Sequence, residues 1–332
     1  MFRKIVFASL AAAFFIVPWL CPGAKDWAPG LAVLLGIVFS VTWGNPFSEY
    51  TSKITSQLLG ATIVGMGFGM NLLDVLRAGA NGFFYTLIGI VLGIGLGTFF
   101  GKRLKVSRNA AYLVSVGTSI CGGSAIAAAA PVLKAKPHDI AIASATVFSL
   151  NAVALWLFPV IGKALDLGQV EFGYWAALGI HDTSSVVGAS MAYGSEALEI
   201  GTTVKLARAL WIVPVTLFLS WFAAEKEEGE KRTFKLKVPW FIPWFIAAAA
   251  LVTWLPQLLP STGNAVDAAG SFIKNVSKYL MIVTLFLIGA NLSRAKLKEL
   301  GLRPVLLGGL LWIILATLWC TAIYFHWVNC VK

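Results

Sequence analysis

Two adjacent ionisable residues, His181 and Asp182, lie within an otherwise small and apolar stretch, GIHDTSSVVGAS, residues 179–190. Ionisable groups in apolar surroundings are costly to bury and commonly serve a function. The imidazole changes charge more readily near neutral pH than any other side chain. One interpretation is therefore that the pair carries a coupled proton. The alternative is structural, with Asp182 as the N-cap of a helix that follows it.

Two cations follow in the next apolar run, where Lys205 and Arg208 are three residues apart and share one face of a helix. A long stem lets a lysine near a helix end reach water, but an arginine near the middle of a run needs a partner. Asp182 can neutralise one of the two charges. The remaining positive charge predicts an anionic ligand, so that both residues are candidates for binding it.

A second segment of small residues, GTSICGGSAIAAAAP at 117–131, precedes the histidine segment. Glycine permits an unwound turn, and the free N–H groups of a helix that starts there can bind an anion. The alternative is that the small residues only pack two helices closely. The predicted anion-binding residues of the two segments are Ser119, Cys121, Gly122, Gly123, Ser124, Thr183, Ser184 and Ser185.

Three asparagines, Asn71, Asn151 and Asn291, interrupt apolar runs and are predicted to serve either as structural hydrogen-bonding groups or as part of the site. The sequence indicates no catalytic constellation, because it contains neither a GxSxG elbow nor an HExxH motif. The four cysteines show no metal-ligand spacing. We therefore expect no enzyme activity, no cofactor and no metal.

The composition identifies the class of protein that holds these residues. Of 332 residues, 58% are hydrophobic and 12% are charged, and the mean hydropathy is +0.81. A soluble domain carries about 25% charged residues. The net charge of +11 comes from lysines and arginines in short loops between apolar runs, which is typical of membrane topology and not of nucleic-acid binding. The expected partners are the lipid bilayer and a small anion.

Apolar runs bounded by charge, proline or glycine predict an all-α polytopic protein with about nine to eleven transmembrane segments. The N-terminal run is interpreted as a transmembrane helix and not as a signal peptide. Basic loops place the N-terminus in the cytoplasm and the C-terminus outside. The predicted spans are 5–21, 29–45, 55–73, 82–100, 139–162, 198–222, 239–257, 277–292 and 304–326.

Short sequence echoes predict two repeats. ALWLFP at 154–159 matches ALWIVP at 209–214, and GMNL at 69–72 matches GANL at 289–292. The predicted division is an N-terminal helix, 1–28, and two halves, 29–165 and 166–332, with the elements of the second half in permuted order. The halves are inverted only if 109–133 and 173–193 enter the membrane and turn back. We therefore favour two re-entrant or broken helices that meet at the midplane.

The segments SICGGSAIAAAAPVLKAK, TVFSLNAVALWLFP, GIHDTSSVVGAS and TTVKLARALWIVP resemble the YeiH-type family of bacterial inner-membrane proteins. That family is labelled as sulfate exporters and is grouped with the bile-acid, arsenite and riboflavin transporters. The resemblance implies a secondary transporter of a small anion such as sulfate or sulfite. The alternatives are a sodium-coupled importer of an organic anion and an anion channel. The identity of the anion, the coupling ion, the direction of transport and the oligomeric state, a homodimer included, stay open.

Overall fold

The computed structural model describes residues 2–21, 28–224, 240–291 and 301–330, and these residues form helices and short connections. Two of the basic loops used above to orient the chain are 226–237 and 294–298. Both lie outside the described residues. The helices are α1 Phe2–Leu20, α2 Ala28–Trp43, α3 Ser48–Gly67, α4 Leu72–Arg103, α5 Arg108–Ser119, α6 Gly123–Val132, α7 Pro137–Ala164, α8 Gln169–Gly179, α9 Thr183–Tyr193, α10 Ser195–Ala209, α11 Ile212–Ala224, α12 Phe241–Leu258, α13 Gly263–Ala290 and α14 Leu302–Tyr324.

Seven stretches of the described chain are long and apolar enough to cross a bilayer, which confirms a polytopic membrane protein. They are α1, α4, α7, α12, α13, α14 and the run from α10 into α11, Ser195–Leu219. The predicted spans at 29–45 and 55–73 coincide with helices that fall short of this standard. α2 has 16 residues, fewer than the roughly 20 that a bilayer needs, and the first half of α3, SEYTSKITSQ, is polar.

The helices pack as two bundles. The small bundle consists of α1, α2, α3, α12 and α13, in which α13 packs along both α2 and α3. The large bundle consists of α4 to α11 and α14, in which α4 packs along α5 and α10. Glycines in α4 allow that close approach, because a Cβ added at Gly97 would overlap the Ser115 hydroxyl oxygen. The candidate site lies where the two bundles meet.

Two helical hairpins lie inside the large bundle, at the segments predicted to be re-entrant. In the first, α5 and α6 fold back on each other, since a Cβ added at Gly117 would lie 2.9 Å from Ile126. In the second, the rings of Phe172 in α8 and Tyr193 in α9 stack with centroids 3.7 Å apart. In one straight helix the first pair would be about 14 Å apart and the second pair about 32 Å apart. Both segments therefore turn back, as predicted.

The long helix α7 connects the two hairpins and places their open ends at opposite ends of the bundle. Its 28 residues span about 42 Å. Ser107 before α5 donates a hydrogen bond to Asp139 in the first turn of α7, at 2.6 Å. At the other end, Gln169 in α8 accepts hydrogen bonds from the first turn of α10. The hairpins thus point towards each other. The division into two inverted halves, 29–165 and 166–332, remains a prediction.

Candidate functional site

The tips of the two hairpins meet inside the large bundle. The first tip is the break between α5 and α6, residues 120–122, and the second is the break between α8 and α9, residues 180–182. Gly122 has φ 69° and ψ −127°, a conformation that residues with a Cβ rarely adopt. A Cβ added there would lie 3.0 Å from the Cβ of Asp182. Glycine is therefore needed both for the turn and for the contact between the tips.

Buried cations from α10 hold the two tips together. The guanidinium of Arg208 donates to carbonyls of both hairpins: Thr118 at 2.9 Å, Ser119 at 2.9 Å, Ala177 at 2.7 Å and Leu178 at 2.6 Å. The ammonium of Lys205 donates to Ile120 at 3.2 Å, Ala177 at 3.4 Å and Ile180 at 2.7 Å. The exposed fractions of Lys205 and Arg208 are 0% and 2%.

These carbonyls are the ones that a helix end leaves without an internal partner. The C-terminal ends of α5 and α8 also carry the negative ends of their helix dipoles, which favour nearby cations. Two full positive charges are thereby stabilised by backbone groups. Among the described residues no ion pair links Asp182 to either cation, and the groups in contact with the cations are carbonyls.

The side of the hairpin tips that faces away from Lys205 and Arg208 lines a cavity of about 510 Å³ between the two bundles. Six of the predicted anion-binding residues line it, together with Asp182 and two of the asparagines: Cys121, Gly123, Ser124, Thr183, Ser184, Ser185, Asn151 and Asn291. Lys205 and Arg208 do not line it. Their donors are used by the helix C-termini behind the site, and the prediction that they bind the ligand directly stays a prediction.

The N-terminal turns of α6 and α9 supply the donors of this cavity. Gly122, the N-cap of α6, has no side chain that could accept a hydrogen bond from the first turn. Asp182 is the N-cap of α9, and its carboxylate accepts a hydrogen bond from the Ser185 N–H at 2.6 Å. The structural interpretation of Asp182 is thus confirmed. The N–H groups at the start of α6 and the hydroxyls of α9 suit an oxyanion.

Replacement of Asp182 tests the cap. We expect Asp182→Ala to lower the free energy of unfolding by about 1 kcal/mol, while Asp182→Asn, which is an equally good cap, loses less than about half of that. The measurement is chemical unfolding of the purified protein, followed by helix content. If both variants lost the same free energy of unfolding, the capping role would be contradicted and a role for the negative charge itself would be favoured.

His181 and Asp182 separate in space, although they are adjacent in sequence. The backbone N–H of His181 donates to the side-chain oxygen of Asn151 at 3.1 Å. The imidazole of His181 is 1% exposed and lies edge-on to Trp312, with ring centroids 6.4 Å apart. Neither ring nitrogen has a hydrogen-bond partner among the described residues. Asp182 lines the cavity, whereas His181 lies inside the large bundle.

The remaining predicted site residues mainly make hydrogen bonds that stabilise the fold. Asn71 is the N-cap of α4 and accepts from the Leu73 N–H at 2.8 Å. Asn291 ends α13, where its side-chain oxygen accepts from Asn45 and from Thr51, at 3.0 and 2.7 Å. The backbone carbonyl of Ser119 accepts from Arg208, and its side chain is buried away from the cavity.

The small bundle contributes a part of the cavity that was not predicted from the sequence. Thr55 and Ser56 of α3 and Phe241 of α12 line it, as do apolar residues of α2 and α13. The signal was present in α3, whose polar first half is unusual for a helix within the membrane. Phe148 of α7 was also missed; its ring lies over Gly123, where an added Cβ would be 2.7 Å from it.

Fold and site together define a polytopic membrane protein with two helical hairpins that meet tip to tip beside a central cavity. The chain belongs to the family described as Conserved hypothetical protein 698, whose model matches residues 8–308. It is 47% identical over 326 residues to a UPF0324 membrane protein of Bdellovibrio bacteriovorus, covering 98% of this chain and 95% of that protein.

Two further relatives bear the same designation. A UPF0324 membrane protein of Bacteroides thetaiotaomicron is 42% identical over 330 residues, with 97% of this chain and 96% of the relative covered. One of Geobacter sulfurreducens is 42% identical over 315 residues, with 95% and 96% covered. These names describe membrane proteins and state no substrate. No solved structure matches the chain.

Proposed function

We propose that this protein is a secondary transporter that moves a small anion across the bacterial inner membrane by alternating access. The observation that carries the proposal is the pair of hairpins whose tips meet at the wall of a cavity between two bundles. Interrupted helices that meet in the interior of a membrane protein are typical of transporters. Irregular backbone at that depth is tolerated where it is buried or lines a cavity.

The contacts between the two bundles fit a conformation in which the cavity opens at one end of the molecule and is closed at the other. The cavity reaches Thr55 and Asn291, near the end at which α3 begins and α13 ends. Basic residues such as Arg3 and Arg103 lie at this end, which is therefore cytoplasmic by the positive-inside rule. Towards the other end, Lys274 of α13 forms an ion pair with Glu199 of α10 and donates to the Gly69 carbonyl at 3.1 Å. These contacts join the two bundles on the outer side.

Sulfate and sulfite are the first cargoes to test, on the strength of the resemblance to the family labelled as sulfate exporters. Both are oxyanions that accept hydrogen bonds from N–H groups and hydroxyls. A carrier is favoured over a channel because the hairpin tips and the two cations fill the space behind the cavity.

Flux into liposomes tests the proposal. The purified protein is reconstituted, and uptake of labelled sulfate or sulfite is measured with and without the unlabelled anion inside. A carrier gives saturable uptake that internal anion accelerates. Uptake that does not saturate would indicate a channel, and uptake that needs sodium would indicate the sodium-coupled importer. The absence of uptake for inorganic and organic anions alike would contradict the proposal.

His181 is proposed to carry the coupled proton, because its imidazole is buried beside the hairpin tip without a hydrogen-bond partner among the described residues. We expect His181→Gln to retain anion exchange and to lose accumulation driven by a pH gradient. The matched control is His138→Gln, since His138 is exposed at the start of α7. If His181→Gln still accumulates the anion in response to the gradient, the coupling assignment is wrong.

A further inference from the structure

Two cations lie directly behind the hairpin tips and contribute a positive field to the cavity. No Lys, Arg or His is among the described residues that line the cavity, because Lys205 and Arg208 are bonded to carbonyls on the far side of the tips. The N-termini of α6 and α9, each worth about half a charge, add to this positive field. Asp182 offsets the contribution of α9. The net field at the cavity is therefore positive and suits an anionic head.

The walls are apolar and come from both bundles. Ile37, Leu59, Leu285 and Ile288 of the small bundle face Phe148 and Leu155 of the large bundle. Such walls cannot replace the water that surrounds a strongly hydrated inorganic ion. They do stabilise an apolar surface that leaves water. A pocket with apolar walls and a few polar groups at one place is the usual form of a site for an organic ligand.

The size of the cavity favours the same class of ligand. Sulfate has the bulk of about three water molecules, or about 90 Å³ at about 30 Å³ for each water. The cavity has about 510 Å³, several times that volume. A ligand that fills it must extend from the hairpin tips along the apolar walls.

We propose that the cavity binds an organic anion, with a carboxylate or sulfonate head at the start of α6 and an apolar body between the two bundles. This inference rests on the proposed function and names a substrate class for the same site. The head accepts hydrogen bonds from backbone N–H groups and from the hydroxyl of Ser124. The ring of Phe148, which lies over Gly123, packs against the part of the body next to the head.

Three sulfur oxyanions differ in the apolar body that they carry, and two of them carry the same charge. Sulfate has two charges and no body, methanesulfonate has one charge and one methyl group, and benzenesulfonate has one charge and a ring. Binding to the purified full-length protein is measured by calorimetry, with benzyl alcohol as the uncharged ligand. We expect benzenesulfonate to bind at least about tenfold more tightly than methanesulfonate, as an aromatic body predicts, sulfate to bind more weakly still, and benzyl alcohol to be weakest.

Substitutions in the cavity wall test where the apolar body of the ligand binds. Phe148→Ala is expected to lower the affinity for benzenesulfonate about tenfold and that for methanesulfonate by less than about twofold. The matched control is Val153→Ala, because Val153 lies on the same helix, is 52% exposed and does not line the cavity. Should Phe148→Ala fail to fold, Leu59→Ala provides the same test from the small bundle.

Each result distinguishes this inference from the function on which it rests. If sulfate binds as tightly as benzenesulfonate, the inference about the apolar body is overturned while an anion transporter stands. The same holds if Phe148→Ala and Leu59→Ala leave the preference for benzenesulfonate unchanged. If none of the three anions binds, the proposed function fails together with the inference.

Discussion

Replacement of Arg208 by alanine is expected to abolish most transport and to destabilise the protein, although Arg208 does not touch the cavity. The guanidinium donates to four carbonyls, two from each hairpin. Its removal leaves these groups buried without a donor, and each unsatisfied group costs about 1–3 kcal/mol. With some relief from relaxation and water entry, we expect the free energy of unfolding to fall by about 3–5 kcal/mol, as for a broken buried charge network.

Transport should fall by about 100-fold. If the free energy that holds the two tips together drops by about 3 kcal/mol, the fraction of protein with an intact site drops by that factor. The measurements are chemical unfolding in detergent and flux into liposomes. Arg208→Lys should recover the charge but only part of the function, since an ammonium lacks the planar fork that serves both hairpins.

The matched control for Arg208 is Arg77→Ala in α4. Arg77 forms an exposed ion pair with Asp74 at 3.8 Å, and such pairs contribute less than about 1 kcal/mol. This variant should unfold and transport like the wild type. If Arg208→Ala matched it in both measurements, the two hairpins would not depend on the buried guanidinium, and our account of the site would be wrong.

Replacement of Gly122 by alanine is the second change with a large expected effect. The residue has φ 69° and ψ −127°, and holding a residue with a Cβ in a sparsely populated region costs about 1–3 kcal/mol. The added methyl group would also lie 3.0 Å from the Cβ of Asp182. The tips must therefore move apart, which displaces both the cap of α9 and the start of α6. We expect a destabilisation of about 2–4 kcal/mol and a loss of transport of at least about tenfold.

Gly95→Ala provides the control for the glycine substitution. Gly95 lies inside α4, and a Cβ added there meets nothing within 4 Å. Alanine in the interior of a helix is more favourable than glycine by about 1 kcal/mol, so this variant should be at least as stable as the wild type. Unfolding midpoints and flux of the two variants are compared side by side. A Gly122→Ala protein with wild-type flux would show that the tips need not touch.

The sequence was sufficient to predict the class of the protein and the two interrupted segments. Hydropathy and the positions of charges are properties of short windows, and they predict helices near most of the observed positions. Clusters of glycine, serine and alanine at 117–131 and at 179–190 predicted the breaks, since unwound backbone needs residues of this kind. The two interpretations of Asp182 could not be separated by sequence, because a capping carboxylate and a functional one occupy the same position before a helix.

The tertiary structure decided what the buried cations do. The partners of Lys205 and Arg208 are backbone carbonyls, and every residue carries a carbonyl, so no side-chain pattern marks the ones that will be left without a donor. The cavity likewise depends on the packing of α2, α3, α12 and α13 against hairpins that are about 40 residues or more away in sequence. Local periodicity shows which face of a helix is apolar but does not specify which helix it will meet. For that reason the sequence predicted an anion held by Arg208, whereas the structure places Arg208 behind the site, where it positions the helix ends that face the cavity.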